Sequence, residues 1–594
     1  MHGGRTTRGH RDRGGGPGRY TEAFEGGNTW QISVYDAAAF DVPAWLGAGP
    51  IYQVFPDRFR DGDPDRGPRA PRFYYGDPEG TVWRSGGEAW NTRLCDPQGT
   101  REPACPGVYS NNFYGGDLAG LIDRIEAGYF DALGVGVLYL NPIVWAPSNH
   151  KYDAIDLAVV DPELGDAADV ARLAEVAAAH DLEIILDGVF NHVSSDSLYF
   201  DAFGRHPTVG ACEDADSPFR DWFYFPALGN PAGGGAVRCA GDATYEAWFG
   251  YSALPKLRAE SRAVRALIID GPDAVGPGWI ARGFAGWRLD VGGDVDPGAA
   301  AAPGNDFWER FRDAVRDPAR SGRADAIVLG EEWGDASSWL LGREWDSVMN
   351  YRFRSAALGW AARGCAGPGC EGDAFLTGDE NRWTHSGPIA PLSPSDLHQR
   401  LMSLREDYPP PAWGAMMNLL GSHDTQRVRF LLEKVNPAPL RALRQLWVLQ
   451  FSYAGAPTIY YGDEVGLSEP GVYSDGTWHD DPYNRAPYPW PDTPGDYGGD
   501  ADLLAYARRL ASLRWALADL RSGAVEHGVV IDDARGLYGY RRGAVTVVLS
   551  RGERDAELPV DGPGEAAGEA LTGAALAVVD GRVRVTVPAG GAAV

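Results

Sequence analysis

Short apolar runs alternate with amphipathic segments along most of the chain. Eight runs lie between residues 49 and 466, and each is nearly continuous in its hydrophobicity. Strands buried on both faces, as in a parallel sheet, have this unbroken pattern rather than a strict alternation. We therefore predict parallel strands at GPIYQVF (49–55), VGVLYLNPI (135–143), LEIILDGVF (182–190), FAGWRLDV (284–291), AIVLGEEW (326–333), SVMNYRF (347–353), AMMNLLGSHD (415–424) and PTIYYGDEVG (457–466).

Between these runs the apolar residues recur at helical spacing, as in AADVARLAEVAAA at 167–179. An apolar stripe with a period of 3.6 residues is typical of a helix packed on a sheet. The predicted helices lie at 117–133, 167–180, 257–270, 305–316, 396–405, 438–450 and 501–515. Repeated strand and helix units predict an α/β fold, a (β/α)₈ or TIM barrel.

Two regions depart from this alternation. The first follows the third strand, is rich in Gly, Pro and aromatic residues, and predicts a small inserted domain. The second follows the barrel and has short Val-rich strands with Gly turns, which predict an antiparallel β-sandwich. The predicted order is a flexible leader (1–19), a linker or remnant of an N-terminal domain (20–47), the first part of the barrel (48–192), the inserted domain (193–254), the rest of the barrel (255–517) and the sandwich (518–594).

The charge balance argues against a polyanionic partner. Lys and Arg number 54 against 82 Asp and Glu, so the formal net charge is −28. Such a surface repels nucleic acid. No run reaches the roughly 18 apolar residues that a membrane span needs. No protein partner is implied, and the N-terminal residues lack an apolar signal core.

Six cysteines fall in three pairs that are close in the sequence: Cys95 with Cys105, Cys212 with Cys239, and Cys365 with Cys370. An even number in Gly- and Pro-rich loops favours disulfides, although scattered free thiols remain the alternative. Disulfides persist in oxidising compartments, so we expect an extracellular protein whose signal peptide is not visible in this chain.

Polar residues cluster where four of the predicted strands end. In a (β/α)₈ barrel the carboxyl ends of the strands form the active site, so these side chains are expected around one mouth. They are Asp187 and His192 after strand three, Arg288 and Asp290 on strand four, Glu331 on strand five, and His423 and Asp424 on strand seven.

Two carboxylates at neighbouring strand ends suit glycoside hydrolysis, which needs one ionised and one protonated carboxyl group. We assign Asp290 as the nucleophile, held ionised by Arg288 two residues earlier, and Glu331 as the acid/base, with a pKa raised by the nearby charge. Asp424 would stabilise the developing positive charge, and His192 and His423 would donate to sugar hydroxyls. A single Asp here could instead cap a helix, and the two His could be core residues or metal ligands. The combination across four strands favours a glycosidase.

These residues lie in segments that resemble the conserved regions of the α-amylase family. DGVFNH (187–192), GWRLDV (286–291), GEEW (330–333) and LLGSHD (419–424) occur in the family's order. SNHKYD (148–153), LPKL (254–257), YYGDEVG (460–466) and DPYNRAPYPW (481–490) extend the resemblance over roughly residues 49–594. Within the family, the segments NNFYGGDLAGLID and FPDRFRDGDPD resemble the neopullulanase, cyclomaltodextrinase and amylopullulanase group.

The resemblance implies the same three catalytic residues, Asp290, Glu331 and Asp424. It also implies substrate-binding roles for Tyr152, Asp187, His192, Arg288, His423 and Arg485. After the nucleophile the chain has VGGD where the group has a VANE-like segment, which leaves Asp294 at a position that tunes subsite preference. The choice between α-1,4 and α-1,6 bonds therefore stays open.

A structural Ca²⁺ site is also implied by the resemblance. Its predicted ligands are Asp61, Asp63, Asp117 and the carbonyl of Gly115, and oxygen ligands on short loops suit this cation. Arg66 falls where a further oxygen ligand is expected. The alternative is that DGDPD is an acidic turn without a metal.

The predicted function is retaining hydrolysis of α-1,4 bonds in α-glucans such as starch and maltooligosaccharides, with α-1,6 bonds or pullulan as further substrates. Glycosyl transfer through the same covalent intermediate is the alternative. A non-enzymatic glucan-binding protein is a third hypothesis, which the presence of all three carboxylates disfavours.

Overall fold

The computed structural model describes residues 9–10, 29–30, 34–67, 75, 83–84, 90–105, 107–233, 237–298, 306–365, 390–474, 477–522, 524–561, 567–580 and 582–594. Its central feature is a sheet of eight parallel strands. In chain order the strands are β1 (Ile51–Val54), β2 (Val137–Leu140), β3 (Glu183–Gly188), β4 (Gly286–Leu289), β5 (Ile327–Gly330), β6 (Ser347–Val348), β7 (Met417–Leu419) and β8 (Ala456–Tyr460).

Each strand of this sheet pairs with its neighbour in the chain, and β8 returns to pair with β1. A parallel bridge between Met349 and Met417 joins the β6 and β7 ends, so the sheet is a nearly closed barrel. This confirms the predicted TIM barrel. Alternate residues face its interior, where Val137, Ile185 and Leu329 pack together, while their chain neighbours face the surrounding helices.

Helices follow most of the strands and cover the barrel. They are α1 (Leu118–Glu126), α2 (Ala167–Ala179), α3 (Val275–Ile280), α4 (Phe307–Val315), α5 (Tyr351–Ala361), α6 (Pro394–Asp407), α7 (Val428–Val435), α8 (Pro439–Ser452) and α9 (Ala501–Ala516). Shorter helical segments lie at Tyr129–Ala132, Arg262–Arg265, Ala266–Asp270, Gly292–Val295, Pro318–Ser321, Pro410–Trp413 and Asp519–Ser522.

Three predicted elements differ in extent. The strand predicted at 347–353 ends at Val348, because Asn350 begins α5 by accepting the N–H of Phe353 at 3.0 Å. The helix predicted at 257–270 begins only at Arg262 and continues as a π-helical segment. The helix predicted at 117–133 is interrupted at Gly128, whose φ is +71°.

The segment between β3 and Arg262 has little regular structure. It contains 3₁₀ turns at Arg220–Trp222, Ala240–Asp242 and Trp248–Gly250, and a disulfide joins Cys212 to Cys239. Antiparallel bridges from His192 to Lys256 and from Phe223 to Leu257 tie both ends of the segment to the carboxyl end of β3. The insertion therefore stands beside the mouth of the barrel.

Antiparallel sheets follow the barrel, as predicted. The strands are β9 (Val525–Asp532), β10 (Leu537–Arg542), β11 (Val545–Ser550), β12 (Ala556–Asp561), β13 (Ala567–Glu569), β14 (Ala574–Leu576), β15 (Val578–Val579), β16 (Arg582–Val587) and β17 (Ala592–Ala593). They form sheets in the orders β9-β10-β11-β17, β12-β16-β15 and β13-β14. Gln445 of α8 donates to the Ser550 carbonyl at 2.6 Å, which joins the barrel to these sheets.

Short paired strands complete the described structure: Gly9–His10 with Thr29–Trp30, Trp83–Arg84 with Asn112–Phe113, Val144–Trp145 with Asp156–Val160, and Val472–Ser474 with Thr477–His479. A second disulfide joins Cys95 to Cys105, whereas Cys370 of the third predicted pair lies outside the described residues. Among the helices described above, none is both long and apolar enough to cross a bilayer.

Candidate active site

Arg288 is the centre of the polar cluster at the barrel mouth. Its side chain is completely buried, and the parallel register places it beside Asp187 of β3 and Leu329 of β5. One terminal nitrogen, Nη1, lies 2.9 Å from Asp187 and 3.1 Å from Asp290, and the other, Nη2, lies 3.0 Å from Glu331. A single guanidinium therefore holds three carboxylates from the ends of three adjacent strands.

The alternation of side chains along each strand explains why these groups meet. Side chains alternate across a strand, so Asp290, two residues after Arg288, points the same way as Arg288 does. Leu329 faces the barrel interior, so Glu331, which follows two residues later, also points inward. Both catalytic candidates are buried, with 9% and 7% of their surfaces exposed, respectively.

Glu331 accepts two hydrogen bonds in addition to its ion pair with Arg288. The backbone N–H of Val291 donates to Oε2 at 2.9 Å, and the indole Nε1 of Trp333 donates to Oε1 at 3.2 Å. The Trp333 ring in turn stacks on Tyr351 with 3.8 Å between the ring centroids. The acid/base candidate is thus held in one orientation.

Burial and a neighbouring charge act on Asp290 against Arg288. Burial raises the pKa of Asp290 well above its ordinary value, and the neighbouring Glu331 adds to this shift. Arg288 lowers the pKa of Asp290, as predicted from the sequence, but does not outweigh burial in the free site.

A hydrogen-bonded network extends from Asp187 to the opposite wall. Tyr139 and Tyr152 both donate to Asp187 Oδ2, at 2.5 and 2.7 Å. The Tyr152 ring stacks on His423, with centroids 5.2 Å apart and an interplanar angle of 5°. Burial lowers the pKa of His423 far below its ordinary value, so its ring is neutral. Gln53 Nε2 lies 2.9 Å from Nδ1, which assigns the ring proton to Nε2, on the side of Asp424.

Asp424 lies between His423 and Arg485. Its Oδ2 is 3.1 Å from His423 Nε2, and its Oδ1 is 3.5 Å from Arg485 Nη2. Burial and the charge of Glu331 raise the pKa of Asp424 to about 7, although Arg485 and Arg288 lower it. Arg485 is held by Asp481 at 3.0 Å and by the carbonyl of His423 at 3.1 Å. All three carboxylates predicted to be catalytic are therefore in contact with buried arginines.

His192 is brought to the same wall, and its pKa is lowered to about 3 by burial. Two residues that the sequence analysis did not single out adjoin it. Trp248 of the insertion stacks on its ring at 5.4 Å. His150, which interacts electrostatically with Arg485 and His192, accepts the N–H of Tyr152 at 3.1 Å. His150 lies within the SNHKYD motif, which was the available signal, whereas nothing in the sequence pattern marked Trp248.

The predicted calcium ligands lie on two loops in contact. Asp117 caps α1 and accepts the N–H groups of Gly62, Asp63 and Gly120 at 3.0, 2.9 and 2.7 Å. Burial raises its pKa to about 6, and the charge of Asp61 contributes to the rise. Asp63 lies 3.5 Å from the Nε of Arg66.

Gly115, whose carbonyl is the fourth predicted ligand, has a φ of +84°. In the described ranges, the groups of three acidic or His side chains with ligand atoms within 4.8 Å of one another lie elsewhere, at Asp196, Asp201 and His206 and at Asp296, Glu309 and Glu344.

Comparison with known proteins agrees with this geometry. The family description "Alpha amylase, catalytic domain" matches residues 53–494, which includes all eight barrel strands except the first two residues of β1. Among solved structures, the cyclic α-maltosyl-(1→6)-maltose hydrolase of Arthrobacter globiformis superposes with a TM-score of 0.65 at 28% identity, over 93% of this chain and 99% of that one.

Two curated relatives are similar over most of the chain. An amylopullulanase of Thermoanaerobacterium saccharolyticum is 32% identical over 93% of this chain, which spans 41% of that enzyme's length. Neopullulanase 2 of Thermoactinomyces vulgaris is 33% identical, over 93% of this chain and 78% of that enzyme. With the barrel, the carboxylate cluster and these similarities together, the chain belongs to the α-amylase family.

Proposed function

We propose that the chain is a retaining glycosidase that hydrolyses α-1,4-glucosidic bonds in starch, maltooligosaccharides and related α-glucans. The observation that carries this proposal is the contact of one buried guanidinium, Arg288, with Asp187, Asp290 and Glu331. Two carboxyl groups held on opposite nitrogens of one cation suit a nucleophile and an acid/base that act on the same bond. The names of the relatives support α-glucans as the substrate class.

In the proposed reaction Asp290 attacks the anomeric carbon while Glu331 gives its proton to the glycosidic oxygen. The leaving sugar departs, and Glu331 then takes a proton from the water that cleaves the bond between the sugar and Asp290. Burial raises the pKa of Asp290 in the free site, whereas only the ionised Asp290 is a nucleophile. The proposed reaction therefore requires Asp290 to be ionised when the substrate is bound.

Asp424 and its neighbours would bind the sugar at the cleavage point. Asp424 would accept hydrogen bonds from two hydroxyl groups, one on each oxygen of its ionised carboxylate. Tyr152, held flat against His423, presents a ring face to the sugar, which suits the C–H faces of a pyranose. His192, His423 and Arg485 would donate hydrogen bonds to the same sugar. Arg485 would also offset the negative charge of Asp424.

The proposal extends to the type of bond that is cleaved. Relatives named amylopullulanase, neopullulanase and cyclic α-maltosyl-(1→6)-maltose hydrolase favour action on pullulan and on α-1,6 bonds in addition to α-1,4 bonds. The same names favour hydrolysis over glycosyl transfer. Product analysis on starch, pullulan and cyclodextrin in parallel separates these activities, and longer oligosaccharides formed from maltotriose would indicate transfer.

A decisive test of the catalytic assignment is Asp290→Asn. Because the amide is not a nucleophile, hydrolysis of soluble starch should fall by at least about 10⁴-fold. Asp317→Asn is a matched control, since Asp317 only caps the short helix at Pro318–Ser321 and Asn can also cap a helix. Release of reducing sugar and the anomeric configuration of the first product are measured. A fully active Asp290→Asn enzyme would refute the mechanism.

We also propose a structural Ca²⁺ ion at the loops of Asp61, Gly115 and Asp117. The buried Asp117 lies beside the half-buried Asp61, and Ca²⁺ takes carboxylate and carbonyl oxygens such as these loops offer. Asp63 contributes less, since it faces Arg66. The bound ion would supply charge compensation between the two loops and would take no part in the reaction.

The calcium proposal predicts that a chelator lowers the thermal unfolding temperature and that added Ca²⁺ restores it. Asp117→Asn is the informative variant, because Asn keeps the helix cap and removes the charge. Its unfolding temperature should no longer respond to Ca²⁺. If wild-type protein unfolds at the same temperature with chelator and with millimolar Ca²⁺, the loop is an acidic turn without a metal.

We further propose that the enzyme works outside the cytoplasm. Two disulfides, Cys95 with Cys105 and Cys212 with Cys239, support an oxidising compartment. Detection of activity in the culture supernatant of the producing cells, compared with the cell extract, tests this location directly.

A further inference from the structure

The residue after the nucleophile has an unusual backbone conformation. Val291 has φ of +40° and ψ of +44°, which is the left-handed region. For a β-branched residue this conformation is a genuine outlier, since its Cβ substituents crowd the backbone. Such strain persists only where the surroundings enforce it, and it concentrates at functional sites. The packing around Val291 therefore has to account for this conformation.

Three buried tryptophans enforce it from the carboxyl side of Val291. Trp308 Nε1 donates to the carbonyl of Gly292 at 2.9 Å, and Trp339 Nε1 donates to the carbonyl of Asp296 at 2.7 Å. The third, Trp345, stacks on Trp339 with centroids 4.6 Å apart. The short helix Gly292–Val295 between these two carbonyls is therefore clamped at both ends, and Val291 must connect it to β4.

Trp345 also links this turn to the acid/base residue. A side chain at Gly292 would meet the Trp345 ring at 2.8 Å, and one at Gly330 would meet it at 2.1 Å. Only glycine fits at these two positions, so the ring lies directly on the backbone before Glu331 and on the backbone after Val291. The distance between the two segments is set by one rigid side chain.

The contact that this arrangement produces is the hydrogen bond from the Val291 N–H to Glu331 Oε2, at 2.9 Å. The same oxygen lies 3.0 Å from Arg288 Nη2. The peptide plane between Asp290 and Val291 sets the direction of this N–H, and the left-handed turn at Val291 then leads the chain directly into the clamped helix Gly292–Val295. We propose that Val291 is a positioning residue, whose backbone amide engages Oε2 of Glu331 at 2.9 Å and so leaves Oε1, which accepts the longer bond from Trp333 Nε1 at 3.2 Å, to exchange the catalytic proton.

This proposal rests on the proposed glycosidase function and gives each oxygen of Glu331 a separate task. In the first step the proton leaves Oε1 for the glycosidic oxygen, the bond from that oxygen to the anomeric carbon breaks, and the bond from Asp290 to that carbon forms. In the second step water adds to the carbon, its proton returns to Oε1, and the ester to Asp290 breaks. Oε2 keeps the hydrogen bond from Val291 and the ion pair with Arg288 throughout.

The direct test replaces the amide at position 291 by an ester, through incorporation of 2-hydroxyisovaleric acid, which removes the N–H and keeps the side chain. We expect kcat/KM for maltotetraose to fall about 10- to 100-fold, as for loss of one positioned donor. For α-maltosyl fluoride, whose leaving group departs with little help from an acid, kcat/KM should change less than about 3-fold. The ratio of the two values reports on acid catalysis alone.

A genetic variant gives an independent measurement. Trp308→Phe removes the indole donor from the clamp, and Trp279→Phe is a matched control, since Trp279 is equally buried and donates to the carbonyl of Leu157 at 2.9 Å. We expect Trp308→Phe to lower kcat/KM for maltotetraose more than for α-maltosyl fluoride. Trp279→Phe should leave the ratio of these two kcat/KM values unchanged.

Equal losses on both substrates, in the ester protein or in Trp308→Phe, would show a general structural role and overturn the proposal. An ester protein with wild-type values on both substrates would overturn it as well. If the unmodified enzyme cleaves neither substrate, the proposed function itself fails, which is a distinguishable result.

Discussion

At the scale of single residues, the site is dominated by carboxyl groups that lie close to one another and are buried or half-buried. Asp424 illustrates the consequence, because burial and Glu331 raise its pKa from an ordinary value of 3.8 to about 7. Arg485, 3.5 Å away, lowers the pKa of Asp424 without cancelling that rise. The free enzyme thus holds protons that a bound substrate must displace or share.

This shift predicts a measurable dependence of stability on pH. Between about pH 4 and pH 7 the folded protein keeps a proton on Asp424 that the unfolded chain releases, so the associated stability is present below about pH 4 and is lost as pH rises through 7. In Asp424→Asn this group no longer titrates. The unfolding temperature should therefore fall less between pH 4 and 7 in Asp424→Asn than in wild type.

The control for this measurement is Asp317→Asn, which alters an Asp outside the site and should keep the wild-type slope. Differential scanning calorimetry at half-unit pH intervals provides the comparison. Parallel curves for wild type and Asp424→Asn would contradict the assigned shift.

At the scale of secondary structure elements, the junction of β6 and α5 depends on one asparagine. Asn350 caps α5 through the N–H of Phe353 and donates to Asn418 Oδ1 of β7 at 2.8 Å. Its own N–H donates to the carbonyl of Met417 at 2.8 Å. The residue joins a helix start to the closing edge of the barrel, which is why β6 is only two residues long.

Asn350→Ala should therefore destabilise the protein by more than a simple cap does. Loss of a cap costs about 1 kcal/mol, and a buried amide oxygen left on Asn418 without its donor adds about 1–3 kcal/mol. Ser393→Ala removes only the cap of α6 and serves as the reference. Urea unfolding measures both free energies, and equal losses in the two variants would show that the contact with Asn418 adds nothing.

At the scale of the whole molecule, disulfides close loops outside the barrel core. The bond between Cys212 and Cys239 spans 27 residues of the insertion, and that between Cys95 and Cys105 spans 10. In the chain-entropy model these loops stabilise the folded state by about 3.5 and about 2.7 kcal/mol. The first bond also orders the insertion that carries Trp248 beside His192.

We expect Cys212→Ser/Cys239→Ser to lower the free energy of unfolding by about 3.5 kcal/mol and Cys95→Ser/Cys105→Ser to lower it somewhat less. Wild-type protein treated with dithiothreitol should unfold at a lower temperature than either variant without reductant. If reduction leaves the unfolding temperature unchanged, the bonds do not stabilise the fold.

The fold and the candidate site were predicted from the sequence to different extents. Continuous apolar runs indicated every barrel strand, and the motifs at their ends named the residues that Arg288 and Arg485 hold. The extent of β6 was missed, because the apolar pattern of SVMNYRF does not distinguish a buried strand from the first turn of a buried helix. Trp248 was missed because its contact with His192 crosses a loop without periodicity.

The amino-acid pattern of each strand is enough to predict which side chains face the mouth of the barrel. The alternation of side chains is a local property, so Asp290 follows Arg288 and Glu331 follows Leu329 onto the interior face whatever the rest of the chain does. The pKa shifts and the hydrogen bonds of these side chains depend instead on the folded arrangement. The raised pKa of Asp290 depends on burial and on Glu331, and the left-handed backbone of Val291 depends on three tryptophans. These groups are distant in the chain, so their contacts form only when the barrel closes.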